Sequence, residues 1–579
     1  MGCELFYQEN GIDGLGPVIL LLCTQKMALT PYSGPFGVPE LRHLLRRSLF
    51  GASIDDLNHF AGMGLEAVVQ ELLTFTNNTT PPVKAYSSPD PNGVQDPNLI
   101  DVAVQFGQPW YNVVRQMGIP PNPIPKRNES LRNWWTGLLI GQERNLREKL
   151  TLFWYNHMPI QVNVVFMPES SYTYCQLLRD HCKGNVRALM SALSTDGAML
   201  IYLNGTYNMA SAPDENYGRE LMELFTLGEG SGYTQEDVAT AARIFTGWSV
   251  TEGPPGAPTL PTVVFNVANH DQNDKVFSAF FDNATITGQA TEAGALNEVA
   301  QFVDLIFSRP QAAVFICTQL YRWFVGNDIT PEVQADVIEP LAQVFRDEDG
   351  SPDQIATVMH ALLTSEHFFS PDVRGCMVKS PLDLCIGWIR ELRMPMPGPD
   401  LFEAQYIVWN RVRFLCEDAA QAVGEVPNVA GWPAYYQAPQ FDLTWVDGST
   451  TVSKMAMRDR IAIYGFSTPP QLVLPDNRNL QFKVDFVSVV SQFSNPSDPD
   501  ALVQDAADLL FGVPVSPEVR NQLKTQFLLQ GQVSNYYWTN AYTTYVNDPN
   551  TQDPAAAQVP NKLRSLFNDM MGAAECQLH

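Results

Sequence analysis

Residues 214–248, DENYGRELMELFTLGEGSGYTQEDVATAARIFTGWSV, hold two helical patterns joined by a glycine-rich turn. At about 100° per residue, Asn216, Arg219, Glu220 and Glu223 fall on one narrow stripe of the first helix. Leu221, Met222, Leu224 and Phe225 take the broad opposite face. Gly228 ends this helix, as a glycine just past the last turn does. Thr234 caps the second, with Asp237 at its third position. Val238, Ala241, Ala242 and Phe245 form its apolar stripe, and Gly247 ends it. Amphipathic helices in tandem must bury their apolar faces on one another, so the chain is headed for a helical bundle. The first helix also gathers acid, base and acid on a single face. Ion pairs at helix spacing, Glu215 to Arg219 and Arg219 to Glu223, account for such a face as a solvated one. A catalytic or metal-binding cluster accounts for it as well.

The same period recurs along the chain. Leu41, Leu44, Leu45 and Leu49 form a stripe, and Ser53 caps the next helix with Asp56 at its third position. Arg42, Arg46 and Arg47 give the first of these helices a basic face that can pair with acids elsewhere or hold an anion. His43 and His59 read as exposed or capping residues. Residues 128–158 read as a helical hairpin broken near Gly141, with Asn145 as cap. Leu146, Leu150, Phe153, Trp154 and His157 share one face, so His157 points inward and needs a partner for its ring nitrogens. Residues 292–369 are dense helices with short loops, as in antiparallel bundles. There Arg322 reads as a buried partner for an acid, and His360 and His367 as structural.

The expected fold is therefore mainly α: a large multi-helix bundle with at most a few short β-strands, plus a helical C-terminal region. Short strands are expected near 262–266 and 279–288, as a hairpin. The divisions are 1–37, an N-terminal extension; 38–465, the helical core; and 466–579, the helical C-terminal region. Ser516 and Pro517 open a helix in the last of these.

The formal net charge is −26, from 62 acids against 36 bases. Such a field repels nucleic acid and anionic membranes, so neither is an expected partner. Nine cysteines without a CxxC pair signal no cysteine zinc site, and their irregular spacing argues against a disulfide framework. The apolar run at 17–23, PVILLLC, has no basic region before it and is too short to span a membrane. Residues 1–26 are expected to lie outside the fold, with MALTPYSGP from Met27 as a start. A soluble protein without a recognisable signal peptide follows; export stays open. Nucleophile-elbow, Walker, dinucleotide and HExxH motifs do not occur.

RELMELFTLG at 219–228 with YTQEDVATAARIFTGW at 233–248 resembles the signature of a large bacterial family, catalogued as domain of unknown function number eighteen hundred. RHLLRRSLFG at 42–51, LREKLTLFWYNHM at 146–158, HDQNDK at 270–275, KSP at 379–381 and PNVAGWP at 427–433 resemble its other blocks in order. The resemblance covers about residues 30–465 by motif, and AECQL at 574–578 is similar to the end of longer members. It carries no agreed activity. It implies a protein that is often exported and often encoded beside a sulfatase-like family. The family pattern has a histidine where Tyr155 stands here, which weakens a two-histidine metal site.

Two functions compete. One is a metal-assisted hydrolase acting on an extracellular polymer or its fragments. The other is a non-catalytic cell-envelope protein that binds polysaccharide or a protein partner, for instance a sulfatase-like one. Trp432, Tyr435, Tyr436 and Trp445 would supply flat aromatic faces for the second. For the first, His157, Glu223 and His270 are the expected ligands of a divalent metal ion. Glu220 or Asp271 is the expected general base, with Arg219 beside them. A buried network in which Arg219 neutralises both glutamates is the structural alternative.

Overall fold

The computed structural model describes residues 29–76, 79–116, 120–254, 256–474 and 478–579. It is 55% helical with 6% in short strands. That is the mainly α fold the periodicity requires, far from the roughly one-fifth to one-quarter strand of an ordinary domain. The apolar run at 17–23 and the expected start at Met27 lie outside the described residues.

One apolar cluster runs from Leu41 to Cys576, so residues on both sides of position 465 share a core. Its first helix, α1 (Val38–Ser48), is opened by Pro39 and buries Leu41, Leu44 and Leu45. The hairpin follows as α2 (Ile124–Ile140) and α3 (Arg147–His157). Asn145 accepts a bond from the Arg147 amide at 3.1 Å, as a capping residue does. The signature follows as α4 (Asn216–Glu220), which runs on as a π-helical turn over Leu221–Thr226, and α5 (Gln235–Ile244). Thr234 and Asp237 close a reciprocal capping box on α5. Next come α6 (Glu292–Phe307) and α7 (Pro310–Phe324). Ser380 caps α8 (Pro381–Glu391). The long α9 (Phe402–Asp418) packs along α2. Gly137 makes this approach possible, because a Cβ there would sit 2.5 Å from the Trp409 ring. The C-terminal region includes α10 (Pro499–Leu510) and α11 (Val559–Met571).

The strands pair differently from the expected hairpin. Thr262–Phe265 lies antiparallel to Trp248–Thr251, and Lys275–Val276 to Thr285–Ile286. Gly247, at φ +91°, turns the chain out of the helical signature directly into the first pair. This gives 262–265 a nearer partner than 279–288.

The three arginines of α1 do not share one face. Arg46 reaches the carbonyls of Phe511 (2.5 Å), Leu509 (2.8 Å) and Asp508 (3.0 Å) at the C-terminal end of α10. A guanidinium there satisfies the orphan carbonyls and meets the negative end of the helix dipole. Arg47 is buried and donates to the Val373 carbonyl at 2.9 Å. Only Arg42 remains partly exposed without a bonded partner among the described residues. Arg322, expected to pair with an acid, instead lies over the Phe441 ring at 4.9 Å. Among the described residues, no single helix is long and apolar enough to cross a membrane.

Candidate functional site

Four side chains of α4 and its π-helical continuation form the half-buried stripe that the period requires: Asn216, Arg219 and Glu220 of α4 and Glu223 of the π-helical turn. Arg219 does not neutralise the two glutamates. Its Nη2 donates to Glu215 at 2.8 Å and to Gln235 at 3.0 Å. Both members of the Glu215–Arg219 pair are more than a third exposed, so it contributes little to stability. Glu220 is left without a hydrogen-bond donor among the described residues. Burial first, and then the neighbouring Glu223 carboxylate, hold its carboxyl above the usual glutamate range, against a smaller pull from Arg219. Burial and Glu223 likewise push the Tyr233 phenol up to about 12. Burial, Glu425 and Glu220 raise that of Tyr202. Two carboxylates and two tyrosines therefore gather at the π-helical turn. Such turns often mark functional positions in helices, but others lie at Gln334–Ile338, Arg460–Tyr464 and Lys524–Leu529, so the turn alone does not single out this place.

His157 supports this turn from beneath. Its ring is 7% exposed, stacked on Phe153 and close to Phe225 and Phe315. Nε2 donates to the Phe225 carbonyl at 2.8 Å. That carbonyl lies in the last turn of the helix, where carbonyls have no intrahelical partner. Burial lowers the His157 imidazole to about 4, although the Phe225 bond pulls the other way. His157 is a neutral core histidine capping the signature helix.

His270 and Asp271 belong to a different cluster. His270 Nδ1 donates to the Thr246 carbonyl at 2.9 Å, and Nε2 faces Glu298 Oε1 at 3.2 Å. Lys275 Nζ sits 2.5 Å from Glu298 Oε2 and also donates to the Asp271 carbonyl at 2.5 Å. The His270, Lys275 and Glu298 side chains are wholly buried. Asp271 is held by Arg243 Nε at 2.6 Å and by the Asn273 amide at 2.9 Å. Gly247 must be glycine here: a Cβ would lie 3.0 Å from the Asn266 carbonyl oxygen and 3.1 Å from the His270 Cβ. The HDQNDK block and the end of the signature thus lock one loop to α5 and α6.

The expected metal ligands His157, Glu223 and His270 are not brought together. Among the described residues, no three His, Cys, Asp or Glu side chains are grouped to hold a metal ion. His270 spends both ring nitrogens, and His157 its Nε2, on protein acceptors. Asp271, expected as a general base, is committed to Arg243 and Asn273. Burial pushes its carboxyl up, but these bonds outweigh burial and hold it at about 2. Sequence reasoning missed Glu298. It stands on the apolar stripe of α6 with Ala295, Val299, Phe302 and Val303, all buried, and a charged residue in such a stripe is the signal.

The Arg243–Asp271 pair carries a pH prediction. The folded carboxyl is depressed below its ordinary 3.8 to about 2. Its contribution is present above the unfolded value and is lost as pH falls through that window. It amounts to on the order of 2 kcal/mol. In urea melts, Arg243→Gln is expected to be less stable than the parent at pH 6, with the gap narrowing towards pH 2. A gap independent of pH would contradict this assignment.

The remaining blocks act as joints. Lys149 of the central helix pairs with Asp383, the third residue of α8. Lys379 of the KSP block donates to the Cys576 carbonyl at 2.9 Å, and Trp388 Nε1 lies 3.2 Å from the Cys576 sulfur. Trp432, Tyr435 and Trp445 are buried, and of the four expected aromatic faces only Tyr436 is exposed. They pack the core because Tyr435 stacks on Trp323 at 4.1 Å between centroids.

No curated protein and no solved structure matches the chain. A family model described as protein of unknown function (DUF1800) matches residues 43–553, from within α1 to beyond α10, while α11 and the AECQL block at 574–578 lie outside the match. The chain belongs to that family, DUF1800.

Proposed function

We propose that Glu220 is the proton-carrying residue of a hydrolase acting on an extracellular polymer or its fragments, with Glu223 as its partner. One observation carries this reading: Glu220 is half-buried beside a second carboxylate, raised by both, and bonded by no donor among the described residues. A structural carboxylate at such a depth is normally paired. An unpaired one with increased proton affinity is suited to general acid–base work near neutral pH. The hydrolytic reading therefore rests on proton transfer at α4 rather than on a His157–Glu223–His270 metal set. Arg219, its neighbour in the chain and held by Glu215 and Gln235, limits how far the Glu220 carboxyl rises. The competing reading, an envelope protein binding polysaccharide through aromatic faces, loses support because three of those four rings are packed inside.

Two measurements test the proposal. In carboxyl-region infrared titrations, the difference between the parent and Glu220→Gln should show one group titrating above the ordinary 4.5. Glu223→Gln should lower that midpoint, since it removes the neighbouring charge. A Glu220 that titrates at the ordinary value would sink the assignment. Reducing-end release from a panel of soluble polysaccharides should then be lost in Glu220→Gln, by about a hundredfold or more. No turnover by the parent on any member would refute a polysaccharide hydrolase.

A further inference from the structure

A cleft of about 630 Å³ opens between α1 and the C-terminal region. Its walls include Arg42, Arg46, Arg374 and Arg520, with His43 and the last residue His579, against one acidic side chain, Asp508. In a chain with 62 acids and 36 bases, such a lining inverts the surrounding charge. Three of the four arginines have work inside the fold. Arg46 caps α10, Arg374 meets Glu40 at 3.1 and 3.2 Å, and Arg520 donates to the Val515 carbonyl at 2.8 Å.

Arg42 does not. Its Nε is buried without a hydrogen-bond partner, and its guanidinium has no bonded acceptor among the described residues. The nearby carboxylates are engaged elsewhere. Asp505 accepts from the Ser494 amide (2.8 Å) and hydroxyl (2.7 Å), Asp508 from Gln504 (2.9 Å), and Glu391 from the Ala52 amide (3.1 Å). A guanidinium carries five donors in a fixed fork and stays charged, so partial burial without acceptors is costly. An oxyanion with two free oxygens satisfies that fork. The rest of the wall is apolar, with Phe369, Phe511 and Pro514 facing the same space. A bare, fully hydrated ion makes no use of such a wall, whereas an organic body attached to the anion does.

We propose that this cleft is a binding site for a phosphate or sulfate monoester, with Arg42 as the principal ligand of the oxyanion. It is independent of the reading of Glu220, since it requires no catalysis and lies on α1.

The test is calorimetric titration of the full chain with phenyl phosphate, phenyl sulfate, inorganic phosphate and inorganic sulfate. At least one ester should bind saturably and more tightly than its free ion. Arg42→Gln should weaken that binding about tenfold or more, as loss of a charge-assisted bond does. Arg42→Gln breaks no bond in the fold, so its melting temperature should match the parent. Arg520→Gln is a second cleft variant expected to weaken binding, and Arg564→Gln, exposed on α11, a control expected to leave it unchanged. Equal binding of free ions and esters would sink the ester. No saturable binding, or binding unchanged in both cleft variants, would overturn the site.

Discussion

Lys275→Met is expected to destabilise the protein by about 3–5 kcal/mol, the cost of leaving a buried charge without its partner. Glu298 has no solvent exposure, and its carboxylate is met by Lys275 at 2.5 Å, His270 at 3.2 Å and the Gln289 amide at 2.6 Å. Removing the ammonium leaves the imidazole and one amide to compensate a desolvated anion. It also frees the Asp271 carbonyl. The loop that carries His270 and Asp271 would loosen from α5 and α6. The measurement is the urea midpoint at constant m. A loss below about 1 kcal/mol would mean that the pair is effectively solvated. The double variant Lys275→Met, Glu298→Leu should recover most of the loss, because a buried ion pair can be exchanged for apolar packing at little cost.

Arg127→Met is expected to be comparably damaging, by about 3–5 kcal/mol. Arg127 is fully buried in α2. Its Nε and Nη2 hold Asp101 at 2.8 and 2.6 Å, and its Nη1 holds Glu169 at 2.5 Å and the Val113 carbonyl at 2.8 Å. Arg115 remains beside Glu169 at 3.2 Å and softens the loss there. Asp101 keeps only the Tyr86 hydroxyl, at 2.6 Å, among side-chain donors. Urea melts of Arg127→Met and of Arg127→Met, Asp101→Leu separate the two partners. The double variant should regain stability if Asp101 is the carboxylate left exposed to the cost. Equal stability of single and double variants would place the loss at Glu169 and the loop carbonyls instead.

The helices were legible because their signals are local. Ser53, Thr234 and Ser516 act as caps as their positions imply. The apolar stripes of α1, α5 and α7 are buried. Capping and periodicity involve residues within one or two turns, so a linear reading captures them. The stripe of Glu220 and Glu223 was legible for the same reason.

What joins one helix to another was not legible. His157 points inward, as its period requires, yet its acceptor is a carbonyl 68 positions away, in the last turn of the signature helix, which the period does not reveal. His270 and Asp271 are adjacent in the chain, but Glu298 of α6 and Arg243 of α5 decide what each can do. Arg42, Arg46 and Arg47 form one basic run in sequence. Packing sends Arg46 to the end of α10, Arg47 into the core and Arg42 to a cleft wall. By itself, the sequence determined the helical architecture, the caps and the family. Only the tertiary structure decided which charged groups are paired, because burial and pairing depend on neighbours that distant segments supply.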